Sequence, residues 1–170
     1  MMPIMSEALA ARVTKISRLI HIAIALLVFA GDQATKSIVE SSIPEREVVP
    51  VIPGLFNITH VKNEGAAFGL FADSPAPWKT ALLIVVSAAL LATVVSVVWR
   101  TRMLHWEAGV GLSLVLGGAL SNLVDRIRMG RVVDFLDFYF KNYHWYTFNL
   151  ADAAIVAGAG FLILHVLFAE

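Results

Sequence analysis

Long apolar runs alternate with short polar ones along this chain, and four of the runs have the length needed to cross a bilayer, which takes about 20 residues of helix. Thr80 to Val98 and Ala108 to Val124 carry no charge at all, and Ala153 to Leu164 extends apolar character to Phe168. A fourth run starts near Leu19 and continues through Asp32 to about Ile38. The pattern predicts spans over about 16–38, 78–99, 107–125 and 149–168. Trp78 and Trp99 bracket the second, as indoles do at the two membrane interfaces. Within the third, Gly109, Ser113, Gly117 and Ser121 recur every four residues, and Ala154 and Gly158 repeat the pattern in the fourth. Such stripes of small residues let helix backbones approach closely, so packing is their expected role.

Two segments remain between the spans, about 39–77 and 126–148. The first holds Pro44, Pro50, Pro53 and Gly54, then an extended stretch from Leu55 to Lys62, which predicts a hairpin or small sheet. Phe135, Phe138, Tyr139, Phe140, Tyr143, Trp145 and Tyr146 crowd the second, which reads as a loop in the headgroup layer. Four spans fill most of the chain, so residues 1–170 are expected to form one polytopic membrane domain with both termini on one side. Arg12, Lys15, Arg18, Arg100 and Arg102 put that side in the cytoplasm; Arg46, Lys62, Arg126, Arg128, Arg131 and Lys141 oppose the assignment by count. The first helix decides it.

Composition sharpens the picture. At 170 residues, 58% hydrophobic and 15% charged, with mean hydropathy +0.76, the chain is far more apolar than a soluble domain of its size. Zero net charge gives no footing for nucleic acid, and the absence of cysteine excludes disulfides and thiolate chemistry. The first run follows basic residues as a signal peptide would. It lacks a small-residue cleavage site and carries Asp32 and Lys36, so a retained helix is expected.

Ionisable groups in so apolar a chain mark a functional site by default, because their desolvation has to be offset by a partner or by chemistry. Asp32 and Lys36 lie one helical turn apart, as a neutralising pair or as groups that orient a substrate. Asn63-Glu64-Gly65-Ala66-Ala67-Phe68 combines an amide with small residues that allow close backbone approach. At the end of the third span Gly118, Asn122, Asp125 and Arg126 share a face: a notch, an amide and a charged pair. Asp134 lies in Val132-Val133-Asp134-Phe135, and Phe148-Asn149-Leu150-Ala151-Asp152 sets Asn149 and Asp152 three apart. Two carboxylates brought together cannot both ionise easily, so one becomes acid and the other base around a bound water. Asp137 is a rival for either place, and a salt bridge with Arg126, Arg128 or Arg131 is the alternative for any of these acids. The histidines, His21, His60, His105, His144 and His165, share no metal-binding spacing, and the chemistry requires no metal or other cofactor.

Taken in order, these five blocks resemble the signature blocks of the bacterial lipoprotein signal peptidases, signal peptidase II, over about residues 16–168. The resemblance implies an all-α integral membrane protein, with four transmembrane helices, a small extracytoplasmic β-cradle and an adjoining surface helix. It implies an aspartic endopeptidase of the bacterial inner membrane that cuts diacylglyceryl-modified prolipoproteins just before the lipidated cysteine. The matching blocks put the catalytic pair on Asp134 and Asp152, and the substrate pocket on Asp32, Lys36, Asn63, Gly118, Asn122, Asp125, Arg126 and Asn149. Ser121 stands where the family commonly has glycine. The partners implied are the lipidated prolipoproteins and membrane lipids; a monomer with its active site toward the outer face is expected.

Three other readings use the same residues. A small transporter or proton relay would also employ buried acids, but it calls for internal repeats and charge at mid-depth. A serine–lysine peptidase would use Ser37 or Ser121 with Lys36. A noncatalytic assembly module would need the acids for partner binding alone.

Overall fold

The computed structural model describes residues 7–65, 78–100 and 105–168. Four helices dominate it: α1 (Glu7–Ser42), α2 (Trp78–Arg100), α3 (Trp106–Met129) and α4 (Leu150–Phe168). Each contains a stretch long and apolar enough to cross a membrane. α1 runs four residues past the expected end near Ile38, because Asp32 and Lys36 neutralise one another inside it; Pro44, which cannot continue a helix, lies just beyond its end. α3 likewise continues past Asp125. Arg126 and Arg128 sit in its last turn, where cations complement the carbonyl end, and Gly130 closes it with φ 71° and its N–H on the Arg126 carbonyl.

Between the helices lies a four-stranded antiparallel sheet in the order β1-β2-β3-β4: β1 (Val48–Ile52), β2 (Phe56–Asn63), β3 (Val132–Phe140) and β4 (Tyr143–His144). The hairpin β1-β2 falls where the prolines and glycine predicted one. The second connecting segment is not a plain aromatic loop: Val132 to Phe140 is rich in β-branched and aromatic residues, and those same side chains make it a strand. Val133 and Phe135 are buried with Val39 of α1, so the sheet is seated on the end of the bundle. Outside the four long helices the described residues contain no surface helix, and Ala66, Ala67 and Phe68 lie outside the described residues.

α3 is the most buried span and α2 the least. Its small residues form two faces. A Cβ on Gly117 would lie 2.5 Å from the Ala25 carbonyl oxygen, so the stripe from Gly109 to Ser121 receives α1. On the other face a Cβ on Gly111 would lie 2.8 Å from the Gly158 oxygen, and one on Gly118 would run into the Ala151 oxygen, so this face receives α4. Contact that close leaves no room for a side chain. Gly158→Val is therefore expected to lower the thermal midpoint in detergent, by overpacking of about 1–3 kcal/mol. Gly160→Val, where nothing lies within 4 Å of an added Cβ, should leave the midpoint unchanged.

Candidate active site

Asp134 and Asp152 reach one place by different routes. The β2-β3 register shifts by one residue between Ile58 and Val61, a bulge that leaves Asp134 opposite Val61. Leu136 exchanges both backbone hydrogen bonds with Phe148, at 2.8 and 3.1 Å, which pins the residue before Asn149 to β3. Asn149 then caps α4. Its Oδ1 accepts from the Asp152 N–H at 2.9 Å, and its own N–H donates to Asp152 Oδ2 at 3.3 Å. This reciprocal exchange is a capping box with aspartate at the third helical position. The three-residue spacing thus serves helix initiation and places a carboxylate at the same time.

Asparagine amides tie the two acids together. Asn149 Nδ2 donates to Asp134 Oδ1 at 2.7 Å, Asn63 Nδ2 to Asp134 Oδ2 at 2.8 Å, and Asn122 Nδ2 to Asp152 Oδ1 at 2.8 Å. The orientation of Asn122 follows from Lys36, whose ammonium can only donate and does so to Asn122 Oδ1 at 2.8 Å. That ammonium also meets Asp32 Oδ2 and Asp125 Oδ2, both at 2.6 Å, so its three donors are all used. Asp32 accepts further from the Ser121 hydroxyl at 2.7 Å and from the Ala151 N–H at 2.8 Å, which fastens α1 to the first turn of α4.

Of the residues expected to line a pocket, Asp32, Lys36, Gly118, Asn122, Asp125 and Asn149 are buried, with Asp32 and Asn149 wholly so. Asp152, Asn63 and Arg126 keep some exposed surface, and the Arg126 guanidinium donates to the Gly65 carbonyl at 3.3 Å. One residue the sequence reading passed over is Gln33, which donates to Ser121 Oγ at 2.9 Å and Asp125 Oδ1 at 2.7 Å. A lone amide beside Asp32 in an apolar run was its only signal.

The rival arrangements fare differently. Asp137 pairs across the sheet with Asn57 at 2.8 Å and with His144 Nδ1 at 2.9 Å, on the face of β3 away from Asp134. Among the described residues no ion pair joins Arg126, Arg128 or Arg131 to Asp125, Asp134 or Asp152. Lys36, held between two carboxylates, is no general base for a serine; Ser37 is exposed, and Ser121 is fully buried with its hydroxyl on Asp32.

Burial, and after it the charge of Asp152, push the Asp134 carboxyl up to about 6, against the hydrogen bonds from Asn63 and Asn149 and the charge of Lys36. Between the ordinary carboxylate value and about 6 the folded protein binds this proton while the unfolded chain does not, so Asp134 makes stability fall as pH rises through that window. Thermal midpoints taken from pH 4.5 to 7.5 are expected to decline with pH. The decline should be shallower in Asp134→Asn, and an equal slope in the two proteins would contradict the burial argument.

Comparison with known proteins identifies the family and the fold. The family model described as signal peptidase (SPase) II matches residues 24–168. The lipoprotein signal peptidase of Solibacter usitatus is 43% identical over 144 residues, covering 85% of this chain and 88% of that protein. That of Desulforapulum autotrophicum is 41% identical over 145 residues, covering 85% and 90%. Among solved structures, a bacterial membrane enzyme determined by the in meso method at 2.3 Å superposes with a TM-score of 0.78 at 31% identity, covering 86% of this chain and 87% of the other. Four membrane-spanning helices, a sheet seated on their end and this breadth of similarity place the chain in the signal peptidase II family, the membrane proteases that remove signal peptides from prolipoproteins.

Proposed function

We propose that Asp134 and Asp152 are the catalytic pair of this protease, holding one water between them for attack on the scissile carbonyl. The observation that carries the reading is Asn149, whose amide donates to Asp134 while its oxygen and N–H fix Asp152, so that a single residue aims both acids. One carboxylate draws a proton from the attacking water and the other, protonated, donates to the carbonyl oxygen. Among the described residues the four carboxylates of the site have Lys36 in direct contact and Arg126 nearby without an ion pair, an excess of negative charge that favours retention of that proton.

Roles in the pocket divide by burial. Asn63 and Arg126 contact the substrate backbone or the lipid linkage, while Lys36, Asp32, Asp125 and Gly118 hold Asn122 and Asn149 in position. The whole chain acts as one membrane unit and as a monomer, in the bacterial inner membrane. Both termini are cytoplasmic, and the segments 39–77 and 126–148 carry the site at the outer face. A substrate anchored by a diacylglyceryl cysteine then arrives by lateral diffusion. Its acyl chains stay among the helices; each CH₂ held out of water is worth about 0.8 kcal/mol, less where the chains merely leave lipid.

Purified protein in lipid should cleave a diacylglyceryl-modified prolipoprotein and leave its unlipidated counterpart intact, and a chelator should not alter the rate. Equal cleavage of the two substrates would overturn the lipid-anchored reading.

A further inference from the structure

The fold joins three side chains that are far apart in sequence at the end of the α3-α4 pair opposite the acids. His105 precedes α3, Glu107 lies in its first turn, and His165 lies in the last turn of α4. Their ligand atoms all fall within 4.8 Å of one another, and the two imidazole centroids are 5.0 Å apart. We propose that this trio is a binding site for a divalent first-row metal ion, zinc by ligand preference, which staples the start of α3 to the end of α4.

Three observations support the assignment. Two imidazoles and one carboxylate are a ligand set suited to zinc, and they leave a further position for water. Among the described residues none of the three side chains is committed elsewhere: His105 makes no capping bond, and neither the other imidazole nor the carboxylate takes part in a hydrogen bond or ion pair. Donors around tetrahedral zinc sit about 3.4 Å apart, given metal–ligand bonds of about 2.1 Å, and partly exposed side chains at helix ends can close the remaining gap by rotation. Charge agrees as well. A cation is favoured at the carbonyl end of α4, and Glu107 offsets its cost at the amide end of α3. Trp106 and Phe161, packed edge to face with centroids 6.5 Å apart, supply an apolar wall beside the site.

The test uses full-length protein in detergent with any affinity tag removed, titrated with Co(II) and followed by its visible ligand-field bands. The expected result is bands that saturate at one equivalent, are displaced by Zn(II), and weaken at least tenfold in apparent affinity in both His165→Ala and Glu107→Gln. Zn(II) should raise the thermal midpoint of the parent protein and not that of the variants. Absence of bands, unchanged affinity in the two variants, or loss of binding through His21→Asn or His144→Asn instead would overturn the proposal. Neither readout depends on turnover.

Discussion

Asp134→Asn and Asp152→Asn should each cut turnover of lipidated prolipoprotein by about 10²–10⁴-fold, the contribution a positioned general acid or base makes. The two variants should differ in everything except activity. At position 134 an amide removes a buried carboxylate that the fold holds against its solvation, and its oxygen can still accept from Asn63 or Asn149. At position 152 the carboxylate completes the capping box and also accepts from Asn122, so an amide gives up one of those bonds. Lost caps of this kind cost about 0.5–2 kcal/mol. Asp152→Asn should therefore be the less stable of the two, and Asp134→Asn close to the parent protein. Residues that act as a unit are not additive, so the double variant should be no slower than the worse single one. Rates on lipidated substrate, beside thermal midpoints of the same preparations, check all three expectations. A folded single variant that keeps a tenth or more of the parent rate would remove its residue from the pair.

What could be read in advance follows from the range of each interaction. The spans were legible because crossing a bilayer demands an unbroken apolar run, and the acids because lipid makes them costly. Asn149 and Asp152 were visible as a spacing, since a capping box is local. Local reasoning could not supply the partner of Asp32, whose carboxylate meets the Ala151 N–H across 119 residues of sequence. Nor could it show that Lys36 reaches Asn122 and Asp125 more than eighty positions away. The strand from Val132 to Phe140 was hidden for another reason: its aromatics suit a membrane interface and a β-sheet equally well, and only pairing with β2 decides between them. His105 and His165 show the same limit, because helices that run antiparallel bring the start of one beside the end of the next.

Lys36→Met is expected to cost about 3–5 kcal/mol of stability, the penalty for breaking a buried ion pair from one side. The substitution fills the space of the stem but leaves Asp32 and Asp125 facing one another without a cation. Their remaining donors are unequal. Among the described residues Asp32 keeps the Ser121 hydroxyl and the Ala151 N–H, whereas Asp125 keeps only the Gln33 amide. Adding Asp125→Asn to Lys36→Met should therefore recover more stability than adding Asp32→Asn, and the latter should also loosen the first turn of α4. Recovery of the fold should not restore activity in full, because Asn122 Oδ1 loses the 2.8 Å bond from Lys36 and keeps the longer one from Asn149, at 3.3 Å, and so holds Asp152 less firmly. Unfolding midpoints of the single and double variants, with cleavage rates measured on whichever remain folded, separate the two effects. If Lys36→Met alone proved as stable as the parent, the charge cluster would not be what holds α1 to α3. If the Asp125→Asn double variant regained the full rate, Lys36 would be a structural residue with no part in aiming the acids.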